Sequence, residues 1–212
     1  MSASGFSVSS FSAAAARPAA SEVLRLLSQR ACDSLDRMML SGLRQSLVPG
    51  DAGAAIETVD AVPPGAATHM AVLSIGSFPF RLNTALHFAR TEALLAWAAR
   101  RAGMEEGAEP IGEQQFIDVI CEVGNLCCGS INRDLGEFQS FLGLSTPQIL
   151  DVRCLPHFVR DGAEHLRHFR VQVQPDLTLY ASLCARAYLP QDFHWIGPPA
   201  EAAVESGELE MF

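Results

Sequence analysis

Four side chains in this 212-residue sequence stand out for what they could do together. Asp118, Glu122, Asn125 and Gly129 follow one another at steps of four, three and four within FIDVICEVGNLCCGSINRDL. At 100° per residue a helix places all four within about 60° of arc, on one stripe. Val119, Ile120, Val123, Leu126 and Cys127, joined by Phe116 and Ile131, fall on the other side and predict a buried face. An ordinary solvated face explains Asp118 and Glu122, because acids belong on the outside of helices. It does not explain Asn125 or Gly129. Both are poor helix formers, and Gly costs roughly 1 kcal/mol against Ala inside a helix. Gly lets another surface approach the backbone closely. Asn offers a donor and an acceptor at a fixed place. Glu offers a charge to a cationic partner. The stripe therefore reads as a face built to be docked upon.

Composition removes rival chemistries. All fifteen basic residues are Arg and none is Lys, against 24 acids and a formal charge of −9. No Schiff-base or P-loop lysine can act. GxxxxGK[ST], GxGxxG and GxSxG are absent, which excludes those nucleotide loops and the α/β-hydrolase elbow. An acidic chain is a poor binder of nucleic acid. No run approaches the roughly 18 to 20 apolar residues of a membrane helix, so the expectation is a cytoplasmic protein without a membrane partner. Six Cys with no regular spacing and no CxxC predict thiols in a reducing compartment, not a disulfide scaffold or a zinc site. Cys127 is expected in the core and Cys128 beside the stripe. His165 and His168, three apart in a strand, face opposite sides and make no metal pair. No metal site is expected.

Residues 1–20, rich in Ser and Ala, and 198–212, with Pro198, Pro199 and four Glu, are expected to be tails around one domain at 21–197. Ser21 is expected to cap a first helix carrying Leu24, Leu27, Ala31, Leu35 and Met38. Residues 55–62 and 68–77 are expected to pair as a hairpin across Pro63-Pro64-Gly65. Asn83 is expected to cap a second helix, 84–102, with Trp97 in the core and Arg100-Arg101 set against the helix dipole. The stripe-bearing helix opens at Pro110 or Ile111 and runs to about 134. Residues 138–156 are ambiguous, and FLGLSTPQIL could be a strand broken at Pro147. The clearest β signal is the alternation in 165–173 and 177–189 around Pro175-Asp176. The order α, β-hairpin, α, α, β-hairpin predicts an α+β fold, a mainly antiparallel sheet with helices packed on one face.

Asp118-x-x-x-Glu122-x-x-Asn125-x-x-x-Gly129 resembles the (D/S)xxxExxNxxxG signature of the CheC/CheX/FliY family of chemotaxis phosphatases. All four positions match. The stretch EVGNLCCGSINRDL followed by LGLSTPQIL is similar to the CheX pattern of a signature helix and a short Leu-Ser/Thr-Pro segment. The resemblance spans about residues 21 to 190. It implies a protein-aspartyl-phosphate phosphatase acting on a phosphorylated, CheY-like response regulator. On that resemblance Glu122 pairs with a lysine of the regulator and Asn125 orients the attacking water. Gly129 leaves room for the regulator, and Asp118 supports docking. The Mg²⁺ is the regulator's, so the chain needs no cofactor of its own. The first helix, SQRACDSLDRMML, lacks ExxN, so one site per chain and a CheX-like homodimer are implied. The alternative is a non-catalytic module that binds a receiver domain or serves as a motor or signalling adaptor.

Overall fold

The alternating sequences at 165–173 and 177–189 form the middle of the sheet. The computed structural model describes residues 25–51, 54–105, 107, 109–160 and 162–197. Its elements are α1 (Gln29–Leu47), β1 (Ile56–Val59), β2 (His69–Gly76), β3 (Phe80–Phe88), α2 (Glu92–Arg101) and α3 (Glu113–Leu135). There follow β4 (Gly143–Leu144), β5 (Gln148–Asp151), a 3-10 turn (Val152–Cys154), α4 (Leu155–Arg160), β6 (His165–Gln174) and β7 (Leu177–Ala187). Every strand pair is antiparallel. The order is β1-β6-β7-β3-β2, with β4 and β5 both on the outer edge of β2.

Alternation decides which side of each strand meets the helices. Leu177, Leu179, Ala181, Leu183, Ala185 and Ala187 of β7 join Phe80, Leu82, Leu86 and Phe88 of β3 in the main core. Ala71, Leu73 and Ile75 of β2 point the same way, toward α1 and α3. On the opposite face Met70, Val72 and Ala85 make a smaller cluster with Leu150, Cys154 and Leu155. The fold is α+β, as expected.

Two similar units interleave to build the sheet. α1-β1-β2-β3 and α3-β5-β6-β7 have the same element order, and each lends its first strand to the other. Thus β1 pairs with β6, β5 pairs with β2, and β3 joins β7 between them. The two long helices run antiparallel. The Ser28 N–H donates to the Gln191 carbonyl at 3.0 Å, and Gln139 Nε2 donates to Gln191 Oε1 at 2.6 Å, so the start of α1 and the end of α3 meet. The helices cross at Gly42, where a Cβ would stand 2.8 Å from the Cys127 carbonyl oxygen.

The segment after β7 lies along α1. The Trp195 N–H donates to Ser34 Oγ at 3.0 Å, and Arg37 Nε donates to the Trp195 carbonyl at 2.9 Å. Phe193 and Trp195 are buried there. Arg30 and Asp192 form an ion pair at its start. The chain itself thus occupies part of the outer side of α1.

Several expectations are corrected. Residues 25–28 are not helical, and the cap is Ser28, whose Oγ accepts from the Ala31 N–H at 3.0 Å. β1 and β2 are not a hairpin; the partner of β1 is β6. Residues 80–88 are a strand, and the cap of the second helix is Thr91, which accepts from the Leu94 N–H at 3.2 Å. The ambiguous stretch holds β4, β5, the 3-10 turn and the start of α4. The tails read at 1–20 and 198–212, and Ser21 itself, lie outside the described residues.

Candidate functional site on helix α3

Three contacts fix how α3 is rotated. At Gly124 a Cβ would stand 2.8 Å from Leu73 Cδ1, so this side rests directly on β2. Cys127 meets Gly42 of α1, and Ser130 Oγ donates to Gln45 Oε1 at 3.3 Å. Phe116, Ile120, Val123, Ile131 and Leu135 fill the core between them. The first turn is anchored by Arg90, which pairs with Glu113 at 3.4 Å and lies 5.3 Å from the Phe116 ring centroid. With these sides committed, the stripe faces outward. Asp118 and Glu122 are exposed, while Asn125 and Gly129 are half-buried.

The stripe is held open rather than satisfied internally. Gln114 Nε2 donates to Asp118 Oδ1 at 2.8 Å and steadies that carboxylate. Among the described residues Glu122 has no ion pair and the Asn125 amide has no hydrogen-bond partner. Above Gly129 the space is empty: an added Cβ would meet nothing within 4 Å. The arrangement offers a carboxylate to a cation, an uncommitted carboxamide, and a flat backbone for close approach.

A neighbouring cation belongs to this site and was missed from sequence. Arg101, in the last turn of α2, holds its guanidinium 5.2 Å from the Trp97 ring centroid. Burial lowers its pKa, and attraction to the Glu122 carboxylate partly restores it. From sequence, Arg101 is a charge set against the dipole of its own helix. Nothing in the local sequence reports its approach to Glu122, because α2 and α3 are joined by a loop of ten or so residues whose path sets the distance. Trp97 is buried, as expected.

Two expectations about the rest of α3 are corrected. Leu126 is 46% exposed rather than on the buried face. Cys128 is fully buried rather than beside the stripe. Both follow from rotation: the helix sits on the sheet through Gly124, Cys128 and Leu135, which turns Leu126 out. Burial pushes the Cys127 thiol up to about 12 and the Cys128 thiol to about 11, so neither supplies a thiolate near neutral pH. His165 and His168 do face opposite sides: His165 Nε2 bonds Asp36 of α1, and His168 Nδ1 bonds Ser182 on the far face. Among the described residues no group of three His, Cys, Asp or Glu is placed to hold a metal. No helix among them is long and apolar enough to cross a membrane.

The glycines give a direct check on which face is open. Gly42→Ala should destabilise the fold by about 1–3 kcal/mol, because the new methyl meets the Cys127 backbone carbonyl; Gly124→Ala should cost less, because it meets only the end of the Leu73 side chain. Gly129→Ala should instead stabilise it by up to about 1 kcal/mol, from helix propensity alone. Urea unfolding of the three variants measures this, and destabilisation by Gly129→Ala would show that its face is occupied.

Comparison with known proteins follows the fold. No family model matches the chain, and no curated protein matches its sequence. Solved structures do match. Chemotaxis protein CheX from Vibrio vulnificus superposes with a TM-score of 0.53 at 14% identity, covering 72% of this chain and 99% of that one. A CheC-like superfamily protein from Shewanella sp. PV-4 gives 0.52 at 13% identity, covering 73% and 98%. A chain of the CheX–CheY–BeF3–Mg²⁺ complex from Borrelia burgdorferi gives 0.53 at 12% identity, covering 73% and 96%. The protein therefore has a CheX-like fold.

Proposed function

We propose that this protein is a CheX-like phosphatase that hydrolyses the aspartyl phosphate of a CheY-like receiver domain. The observation that carries the reading is the open stripe of α3, which matches the family signature at all four positions on a CheX-like fold. The complex of CheX with CheY among similar structures supports the choice of partner. A cytoplasmic location and a homodimer belong to the same reading.

The chemistry asks little of this chain. Water oxygen forms a bond to phosphorus, and the bond from phosphorus to the aspartyl oxygen breaks. The receiver regains its carboxylate, and inorganic phosphate leaves with the protons of water. The receiver brings the phosphoryl group, Mg²⁺ and a lysine. Glu122 receives that ammonium, which this Lys-free chain cannot supply itself. The uncommitted Asn125 amide orients the water in line, a gain of proximity and orientation. Gly129 lets the receiver seat against the helix, and Asp118 borders it. Arg101 holds positive charge beside Glu122, so an incoming lysine has to compete with it.

The test is a titration of phosphorylated and unphosphorylated receivers with wild type and Glu122→Ala. Wild type should bind the phosphorylated form and speed its loss of phosphate. Glu122→Ala should weaken binding by roughly 10-fold or more, the worth of one charge-assisted contact. Equal affinity of the two proteins would remove Glu122 from the interface.

A further inference from the structure

The stripe of α3 runs between two apolar flanks. On the side toward α1, marked by Cys127 at Gly42 and Ser130 at Gln45, Leu126 stands 46% exposed. The other flank looks over the edge of the sheet. α1 packs on β6 and α3 on β2, so β4 and β5 extend the sheet past α3 on the side away from α1. Leu73 of β2 lies under Gly124. Two residues to either side of it, Ile75 pairs with Leu144 and Ala71 pairs with Ile149. Directly paired residues share one face of a sheet, and Ala71, Leu73 and Ile75 all face the helices. Leu144 and Ile149 therefore rise beside α3.

Cys121 and Ile117 of α3 turn toward that edge, about 60° and 100° round the helix from Asp118. Ile117 and Ile149 are half-buried and Leu144 is 41% exposed, which makes a shallow apolar shelf. Burial and the Asp118 charge push the Cys121 thiol up, so it adds no charge to the shelf. Single exposed leucines are ordinary on a protein surface. Leu126 and Leu144, however, border the same open stripe from opposite sides. A polar contact ringed by apolar groups that exclude water is the arrangement of an interface hot spot. Excluding water also strengthens an ion pair such as that of Glu122 with an ammonium.

Resting on the phosphatase reading, we propose that the receiver is gripped by these two flanks. Its lysine enters between Leu126 on one side and Leu144 with the Ile117–Cys121–Ile149 shelf on the other. The partner must then carry apolar side chains on both sides of that lysine. The occupant is a receiver and not a second copy of this chain, because the stripe between the flanks takes an ammonium and this chain has no Lys to give. The flanks supply affinity and selectivity, and Asn125 supplies rate. A receiver with polar groups at those places is rejected, because they would lose water without gaining partners.

The test measures hydrolysis by the full chain of each phosphorylated receiver domain of the same cell. Affinity for the BeF3⁻–Mg²⁺ form of each receiver is measured alongside. Leu126→Gln and Leu144→Gln should each raise KM and Kd by about 5- to 10-fold, the worth of one partly buried leucine. Their kcat should stay within about 2-fold of wild type, the reverse of the pattern of an interaction made only in the transition state. Tm should hold, since both side chains are exposed and Gln is as good a helix former as Leu. Leu189→Gln is the control: that leucine is 45% exposed but follows β7, away from the stripe, and its loss should change nothing. Faster hydrolysis by wild type with KM unchanged in both flank variants would overturn this proposal and leave the phosphatase reading standing. If wild type binds a receiver without speeding hydrolysis, the phosphatase reading fails and Kd decides: weaker binding by the flank variants supports the grip, and equal binding overturns it. An equal loss with Leu189→Gln would overturn it, and so would a wild type that binds no receiver, which removes both readings.

Discussion

Asn125→Ala should leave the phosphorylated receiver bound while removing most of the acceleration of its hydrolysis. The expected loss is roughly 100-fold, the order of effect seen when a reacting group is misplaced by about 1 Å. Stability should change little. Asn125 is half-buried, makes no hydrogen bond with a described residue, and gives way to the best helix former. Half-saturation should stay within about 3-fold of wild type, because the charge contact belongs to Glu122 and the close approach to Gly129. The pattern of a fallen kcat with an unchanged KM is that of an interaction made only in the transition state. A variant that loses binding and hydrolysis together would place Asn125 in docking instead.

The second large effect concerns stability and pH. His165, on β6, bonds Asp36 of α1 at 2.6 Å, and Arg167 reaches the same carboxylate at 3.1 Å. Burial alone would lower the His165 pKa, but hydrogen bonds to Asp36 and Cys32 and the Asp36 charge outweigh it and raise it to about 9. A raised pKa means that the folded state binds the proton more tightly. The stabilisation, about 3 kcal/mol, is therefore complete below the unfolded value near 6.5 and is lost as pH rises through 9. His87 acts in the opposite sense. Burial, with repulsion from His168, lowers it to about 4, and its Nε2 shares the Ser182 hydroxyl with His168. Its contribution, of similar size at about 3 kcal/mol, is present above 6.5 and lost as pH falls toward 4. Unfolding free energy should therefore peak between about pH 6 and 7. Asp36→Asn should flatten the alkaline limb and cost about 3 kcal/mol at pH 6, with the deficit shrinking toward pH 10. A deficit equal at every pH would mean that Asp36 acts by packing and not through His165.

What was legible in the sequence was local. The period-two alternation of 177–187 marks β7 because nothing else explains six apolar residues at every second position. The four-residue stripe of α3 was legible because helical geometry converts spacing directly into a face. The failures are long-range or come from competing signals. Adjacency in sequence points β1 toward β2, whereas its partner β6 lies more than 100 residues away. The Ala- and Leu-rich run that follows draws residues 84–88 into the expected helix, although they belong to β3. Yet Phe80, Leu82, Thr84, Leu86 and Phe88 alternate at period two, and Thr91 before Glu92 is the better cap. Leu126 and Cys128 were misplaced by a small rotation that only the contacts of Gly124 and Gly42 determine. Arg101 beside Glu122, and His165 against Asp36, depend on how separate elements dock, which no spacing reports.

The central claim is that α3 positions water for hydrolysis of another protein's acyl phosphate. The most direct test follows the decay of a phosphorylated receiver from the same cell, with Mg²⁺ present and this protein at one-tenth of the receiver concentration. The account predicts decay at least 10-fold faster than the receiver's own, over many turnovers per chain, and a return to the intrinsic rate with Asn125→Ala. Wild type that binds the phosphorylated receiver yet leaves its intrinsic decay unchanged would contradict it and make the stripe a docking face alone.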